Sequence, residues 1–320
     1  MNGRHLDIKD FVMYYRTSRG EVKAVDNVSF SLNKGETVAV IGESGCGKSS
    51  LAKSLIRVLP RNISVYKGTV LLDGLNLMEL DEKTFEKEIR WTKITYIPQA
   101  ALNSLNPVIK IGDQMIEPLV IRNKTSKNKA LEMAAKTLRS LGITEEFLYR
   151  YPFELSGGMR QRVIIAMSLM VKPELMLLDE PTSSLDVLTQ ANIMNLMKKI
   201  KEELKPSMIF ITHDVSLSSE LADKIAVMYA GQIVEFNIAD KFYHDPAHPY
   251  SRKLMESVPT LRMDKNLDYI PGSPPSLLNP PKGCRFRERC PWRFEKCTED
   301  PPLIFLGKDF YVSCWLHARG

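Results

Sequence analysis

A glycine-rich segment near the N-terminus constrains this chain more than any other feature. Residues 42–49 have the sequence Gly-Glu-Ser-Gly-Cys-Gly-Lys-Ser and fit the pattern G-x-x-x-x-G-K-[S/T]. The apolar run 36–41 predicts a strand before this segment, and residues 48–58 predict a helix after it. Glycines let such a loop wrap tightly, so that its backbone N–H groups point at phosphate oxygens. The segment therefore predicts a phosphate-binding loop, and a simple glycine-rich turn is the less favoured alternative.

The residue types in this loop predict individual roles. Lys48 is expected to reach the β- and γ-phosphates of a nucleotide, and Ser49 is expected to bind Mg²⁺. Cys46 is interpreted as a small residue whose backbone matters, because no base that would activate it as a nucleophile is visible. The residues expected to contact nucleotide here are Gly42, Glu43, Ser44, Gly45, Cys46, Gly47, Lys48, Ser49 and Ser50.

A second chemical signal is an apolar run that ends in two carboxylates. Residues 175–178 predict a buried strand, and Asp179 and Glu180 follow it directly. Parallel α/β sheets bind ligands at the carboxyl ends of their strands. Asp179 is therefore expected to hold Mg²⁺, directly or through water, and Glu180 to orient and deprotonate an attacking water. A solvated strand end is the alternative, and the phosphate loop upstream makes it the weaker one.

The remaining pattern predicts an α/β fold. Further strands are expected over 94–97, 208–212 and 225–229, and they alternate with helical segments, which is typical of a mainly parallel sheet. From Pro107 to Val171 the pattern is helical and predicts an inserted subdomain. A chain of 320 residues can bury a core of useful size without disulfides.

Residues 155–162, Leu-Ser-Gly-Gly-Met-Arg-Gln-Arg, resemble the signature of the ATP-binding cassette (ABC) ATPases. Ser156, Gly157 and Gly158 at a helix start form a second anion site. One chain does not need two γ-phosphate sites, but two chains packed head to tail do, because each signature then closes over the ATP of the other. The sequence departs from the family pattern at Met159, where the signature usually has glutamine, and family members with methionine there are active.

Further family elements follow in order along the chain. The resemblance implies that Gln99 is the Q-loop glutamine and helps to bind Mg²⁺, that 184–186 is the D-loop with Asp186, and that His213 contacts the γ-phosphate. The aromatic residue under the adenine is assigned to Tyr15, with Tyr14 as the alternative.

The resemblance also implies a domain organisation. The expected fold is a P-loop NTPase of the ABC ATPase type, with an N-terminal antiparallel β subdomain, an inserted α-helical subdomain and a small cysteine-rich C-terminal extension. The nucleotide-binding domain is expected over 1–236, with its helical subdomain at about 100–171, and the extension over 237–320.

Three stretches, 99–107, 248–254 and 270–275, resemble one branch of the family, the ATP-binding subunits of dipeptide and oligopeptide importers. The resemblance implies an ATPase that powers import through a separate permease. Another cargo, such as nickel or an oligosaccharide, stays open, and a soluble ABC ATPase acting on nucleic acid is a weaker alternative. A binding module without turnover is disfavoured because Glu180 and His213 are both present.

The same resemblance implies partners and a location. No stretch approaches the ~20 apolar residues needed to span a bilayer, and the first residues do not resemble a secretory signal. We therefore expect a peripheral protein on the cytoplasmic side of the cell membrane, with a second ABC ATPase subunit, two transmembrane permease subunits and, indirectly, an extracytoplasmic peptide-binding protein. The net charge of +6 is spread along the chain, and no nucleic-acid partner is expected.

Four of the five cysteines lie near the C-terminus, after a proline-rich connector at 271–283. In a reducing compartment such a group favours a metal or cluster site over disulfides. The resemblance implies an iron–sulfur cluster here, because members of that branch hold one in this tail. The intervals between the cysteines also exceed those within zinc-binding pairs. The prediction is therefore a [4Fe–4S] cluster that acts as a structural staple, with zinc as the alternative. Neighbouring arginines are expected to offset its charge. The predicted ligands are Cys284, Cys290, Cys297 and Cys314; the arginines are Arg285, Arg287, Arg289 and Arg293.

Overall fold

The computed structural model describes residues 4–99, 104–122, 124–183, 185–257 and 270–318. The chain divides into two compact units. The first unit comprises residues 1–79 and 210–320, and the second comprises residues 80–209. The predicted domain boundary at 236 stays a prediction.

The strands are β1 (Leu6–Thr17), β2 (Gly20–Leu32), β3 (Thr37–Ile41), β4 (Ile63–Leu72), β5 (Leu75–Asn76), β6 (Ile94–Ile97), β7 (Leu175–Asp179), β8 (Ser207–Thr212), β9 (Lys224–Tyr229), β10 (Gln232–Ile238), β11 (Leu303–Gly307) and β12 (Phe310–Ser313). The helices are α1 (Lys48–Leu55), α2 (Glu82–Glu88), α3 (Ile111–Ile121), α4 (Lys127–Ser140), α5 (Gly157–Met170), α6 (Val187–Leu204), α7 (Val215–Ser219), α8 (Ala239–His244) and α9 (Pro249–Glu256). Short 3-10 turns include Arg287–Arg289 and Glu295–Thr298.

The first unit contains two groups of hydrogen-bonded strands. One is an antiparallel sheet in the order β2-β1-β4-β5, as expected for the N-terminal subdomain. In the other, β3 is parallel to β9, and β9, β10, β12 and β11 follow in antiparallel order. The strands predicted from the sequence, β3 and β9, are parallel as expected, whereas the antiparallel strands β10, β12 and β11 were not predicted. Only two residues, Ala230 and Gly231, join β9 to β10, and so short a connection can join only antiparallel strands.

The strand–loop–helix predicted at the N-terminus is present. All five residues of β3 are buried, as the apolar run required. Helix α1 begins at Lys48, as predicted, but ends at Leu55 rather than Val58. Arg57 turns into the left-handed region, with a φ of 53°. Pro60 lies just beyond, and a proline disfavours the helical conformation of the residue before it.

The second unit combines a parallel strand pair with helices. Strands β6 and β7 pair in parallel, with Ile94 opposite Leu175. Helices α3, α4 and α5 pack against one another. On α4 the buried side chains Ala130, Ala134 and Leu138 recur every four residues and so face the same side. The helical block predicted at about 100–171 contains α3, α4 and α5, joined by turns, and its residues 100–103 and 123 lie outside the described residues.

The C-terminal residues pack into the first unit. Strand β12 pairs with β10, and β11 with β12, so these C-terminal strands extend the sheet that contains β3 and β9. The connector 271–283 has neither helix nor strand, as its prolines required. In the parts of the chain that the structure describes, no helix is both long and apolar enough to cross a membrane.

A buried carboxylate fixes the start of α9. Glu235 on β10 has no exposed surface. Its carboxylate accepts hydrogen bonds from the backbone N–H of Ala247 at 3.0 Å and of His248 at 2.8 Å. His248 in turn caps α9, because its Nδ1 accepts the N–H of Tyr250 at 3.0 Å. Glu235 therefore determines where α9 begins.

We predict that Glu235→Ala lowers the melting temperature by several degrees. The substitution leaves two buried N–H groups without an acceptor, and each such group costs about 1–3 kcal/mol. Glu203→Ala is the matched control, because Glu203 lies on α6 with a side chain that is 61% exposed. Differential scanning calorimetry of the two variants checks this, and equal melting temperatures would contradict it.

Candidate functional site

The loop between β3 and α1 is wrapped so tightly that side chains are excluded at two positions. Gly42 and Gly47 have φ values of 153° and 111°. A Cβ atom at Gly42 would lie 2.1 Å from the carbonyl oxygen of Met228, and one at Gly47 would lie 2.0 Å from that of Ala24. The N–H of Gly231 also donates to the carbonyl of Cys46 at 2.8 Å. The loop backbone is thus held by β2, β9 and the turn after β9.

Lys48 points its charged head into the middle of this loop. Its side chain is buried, and Nζ donates to the carbonyl oxygens of Gly42 at 2.7 Å and Glu43 at 3.0 Å. The Cys46 thiol is buried beside it, and burial raises its pKa, so it is not an activated nucleophile. The Lys48 ammonium therefore lies at the centre of the loop, where the sequence predicts that the β- and γ-phosphates bind.

The two candidate adenine-stacking tyrosines lie in different surroundings. The Tyr15 hydroxyl donates to Ser50 Oγ at 3.0 Å, in the first turn of α1. The Tyr14 hydroxyl donates to the Asp26 carboxylate, and burial together with that contact raises its pKa. The structure thus brings Tyr15 to the helix that follows the phosphate loop. His213, also in the first unit, is exposed at the end of β8.

In the second unit the acidic strand end adjoins the Q-loop glutamine. Asp179 is fully buried at the end of β7, and its Oδ2 accepts the hydroxyl of Tyr96 at 2.9 Å. The Gln99 amide donates to Glu180 Oε2 at 3.1 Å. The structure brings these side chains together because β6 and β7 are parallel neighbours, so their carboxyl ends meet at one edge.

Glu180 occupies a backbone conformation that side chains rarely adopt. Its φ is 49°, in the left-handed region. The residues after it close a tight turn, in which Ser183 donates its N–H and hydroxyl to the Glu180 carbonyl at 3.0 and 2.9 Å. Such strained positions concentrate at functional sites.

The signature segment caps a helix. Ser156 precedes α5, and its Oγ accepts the N–H of Met159 at 3.3 Å. A Cβ atom at Gly158 would lie 2.6 Å from the Thr189 side chain. Thr189 is itself held by Asp186, whose carboxylate accepts its N–H at 3.0 Å and its hydroxyl at 2.7 Å. The signature and the D-loop carboxylate therefore adjoin one another, while Ser184 of the D-loop lies outside the described residues.

The predicted nucleotide-site residues thus fall into two groups, one in each unit. The group in the first unit comprises Tyr15, residues 42–50 and His213, and the group in the second comprises Gln99, Ser156, Gly157, Gly158, Asp179, Glu180 and Asp186. Tyr96, whose hydroxyl fixes the buried Asp179 carboxylate, was not predicted from the sequence. A tyrosine between Thr95 and Ile97 on a short strand gives no sign of this role.

The four C-terminal cysteines line one cavity. They reach it from separate parts of the tail, and the aromatic rings of Phe286, Trp292 and Trp315 line it with them. Burial raises the pKa of the Cys284 thiol to about 12 and that of Cys314 to about 11, and the other cysteines add to the effect. None of the four is in a disulfide. In the described ranges, no three or more His, Cys, Asp or Glu side chains are grouped closely enough to hold a metal ion.

Three of the four tail arginines pair with carboxylates, whereas the charge of the fourth, Arg293, opposes the rise that burial causes in the pKa of Cys290. Arg285 pairs with Asp26, Arg287 with its neighbour Glu288, and Arg289 with Glu43. The prediction that they offset a cluster's charge considered only their closeness in sequence to the cysteines. In the structure, carboxylates balance these three charges.

Comparison with known proteins identifies the family. A model described as "ABC transporter" matches residues 25–183, and one described as "Oligopeptide/dipeptide transporter, C-terminal region" matches residues 234–297. A dipeptide transport ATP-binding protein of Caldanaerobacter subterraneus is 41% identical over 98% of this chain and 97% of its own length. An oligopeptide transport ATP-binding protein of Bacillus subtilis is 42% identical over 98% of this chain and 89% of its own length.

A solved structure supports the same assignment. It is a dimeric ATP-binding cassette in a post-hydrolysis state with ADP and phosphate, 28% identical to this chain. It superposes with a TM-score of 0.65 over 73% of this chain and 98% of its own. The chain therefore belongs to the ABC transporter ATPases, in the branch of dipeptide and oligopeptide transport ATP-binding proteins.

Proposed function

We propose that this chain binds and hydrolyses MgATP to power the import of dipeptides or oligopeptides through a separate membrane permease. The observation that carries the proposal is the phosphate loop with Lys48 at its centre, in a chain that resembles peptide-transport ATP-binding proteins over nearly its full length. The chain acts at the cytoplasmic side of the membrane, with two permease subunits and, indirectly, an extracytoplasmic peptide-binding protein.

In the proposed mechanism the N–H groups of residues 42–49 bind the phosphates, and Lys48 Nζ exchanges its carbonyl partners for phosphate oxygens. Ser49, Gln99 and Asp179 hold Mg²⁺, which when bound neutralises charge that develops on the phosphates. Glu180 takes the proton of the attacking water, and His213 contacts the γ-phosphate. The contacts of Asp179 with Tyr96 and of Glu180 with Gln99 support these roles, because each keeps a carboxylate in place at the strand end.

Two ATPase subunits act together in this proposal. The signature at Ser156–Gly158 closes over the nucleotide bound by a second, identical or similar subunit. The capped start of α5 supports this role, because a helix N-terminus attracts anions. The dimeric arrangement of the related cassette with ADP and phosphate supports it as well.

The tail holds a [4Fe–4S] cluster on Cys284, Cys290, Cys297 and Cys314; zinc, the alternative, is less favoured because no three His, Cys, Asp or Glu side chains in the described ranges are grouped closely enough for one metal ion. The support is that all four thiols face one cavity with aromatic rings around it. Four cysteine sulfurs are the usual ligands of such a cluster. The cluster acts as a staple that ties the connector and the last strands together.

We predict that Glu180→Gln binds ATP normally but hydrolyses it roughly 10²–10⁴-fold more slowly, because the general base is lost while the phosphate loop is unchanged. ATP should then hold two subunits together, which size-exclusion chromatography detects. Adding Ser156→Arg to this variant places a bulky cation in the signature and should abolish the ATP-dependent dimer. Wild-type turnover of Glu180→Gln, or a dimer that persists with Ser156→Arg, would contradict these roles.

We predict that the protein purified without oxygen is brown and contains iron and acid-labile sulfide in equal amounts, about four of each per chain. Cys290→Ala should lose the colour and the iron. Cys46→Ala is the matched control, because the fifth cysteine lies in the phosphate loop and should not affect the iron content. Colourless anaerobic protein, with one zinc or with no metal, would refute the cluster.

A further inference from the structure

Glu43 is an acidic residue within a loop that binds polyphosphate. It directly follows Gly42, the first residue of the loop. A carboxylate here would repel the anionic substrate, because like charges at close range in a partly buried site cost free energy. The structure resolves this conflict through a long-range contact.

The partner of Glu43 is Arg289 in the C-terminal tail. Arg289 Nη1 lies 2.6 Å from Glu43 Oε2, and Arg289 Nη2 lies 2.8 Å from Glu43 Oε1. The two parallel bonds form the fork geometry that makes arginine–carboxylate pairs strong and directional. The pair is largely enclosed, since the Arg289 side chain is 6% exposed and that of Glu43 is 25% exposed.

Arg289 is itself held in position by the tail. Its Nε donates to the carbonyl of Pro271 at 2.8 Å, in the proline-rich connector. Its Nη1 also donates to the Tyr229 hydroxyl at 3.3 Å. Arg289 directly precedes Cys290 of the cysteine cavity. The position of the guanidinium therefore depends on the fold of the connector and the tail.

A second contact fixes the backbone of the same residue. The N–H of Glu43 donates to the hydroxyl of Tyr250 at 2.9 Å. Tyr250 is buried in α9, and its ring packs against Tyr229 at 4.6 Å and Phe286 at 5.4 Å between centroids. The carboxylate of Glu43 is thus held by Arg289 and its backbone amide by Tyr250, and both residues lie after the predicted nucleotide-binding domain in sequence.

We propose that Arg289 is a positioning residue for nucleotide binding, through which the C-terminal tail holds the phosphate loop in its binding shape and neutralises Glu43. The proposal rests on the nucleotide site proposed above. The affinity of the chain for ATP then depends on a residue that does not contact ATP. The tail is accordingly a part of the nucleotide site's support and not only a stabilising appendage.

The test is an equilibrium titration of the full chain with a fluorescent ATP analogue and Mg²⁺. Arg289→Met should weaken binding about tenfold to a hundredfold, the range expected when a charge-assisted pair is broken. Arg289→Lys, which keeps the charge and loses the fork, should fall between Arg289→Met and wild type. Arg287→Met is the matched control. Arg287 lies on the same 3-10 turn as Arg289, and its ion pair is with the adjacent Glu288 rather than with the phosphate loop.

A double-mutant cycle separates positioning from a general loss of stability. In a Glu43→Gln background the carboxylate to be neutralised is gone, so adding Arg289→Met should change the affinity less than threefold. An equally large loss in both backgrounds would overturn the proposal, and so would unchanged affinity of Arg289→Met. Lys48→Ala tests the underlying site separately: if wild type binds the analogue no better than Lys48→Ala, the proposed nucleotide site itself fails.

Discussion

The close approach of the phosphate loop to its neighbouring backbone is the constraint on which the site depends. Gly42 and Gly47 leave no room for a Cβ atom beside the carbonyls of Met228 and Ala24. This packing fixes the course of the loop, and the course of the loop places Lys48 Nζ among its carbonyl oxygens. The loop is thus shaped by β2, which precedes it closely, and by β9, which lies far from it in sequence, and its glycines are required by contact as well as by conformation.

Local surroundings also distinguish the two carboxylates at the end of β7. Asp179 and Glu180 are adjacent in sequence but have different surroundings, because Asp179 is buried against Tyr96 and Glu180 turns outward in a left-handed conformation beside Gln99. Two carboxylates in different environments can take different roles, one binding a cation and the other moving a proton. This difference supports the assignment of Mg²⁺ binding to Asp179 and base catalysis to Glu180.

The sequence predicted the elements that depend on local patterns. The loop with its flanking strand and helix, the capped signature helix and the strand ending in Asp179 have short-range signals, and the structure has each of them. It did not predict the pairing of Arg289 with Glu43, which are 246 positions apart, or the antiparallel strands at the C-terminus. Such pairings depend on tertiary packing, and neither residue's neighbours in sequence indicate its partner. The tail arginines were assigned to the cysteines because closeness in sequence was the only guide, and the carboxylate partners of three of them could not be seen from the sequence.

We expect this loop, shaped by the core strands and held at Glu43 by the tail, to receive the triphosphate of ATP. An experimental structure of the chain with Mg²⁺ and a non-hydrolysable ATP analogue tests it most directly. In that complex Lys48 Nζ should leave the carbonyls of Gly42 and Glu43 for the phosphates, while Arg289 should keep both hydrogen bonds to Glu43. A triphosphate bound elsewhere, or a Glu43 carboxylate released from Arg289 when nucleotide binds, would contradict it.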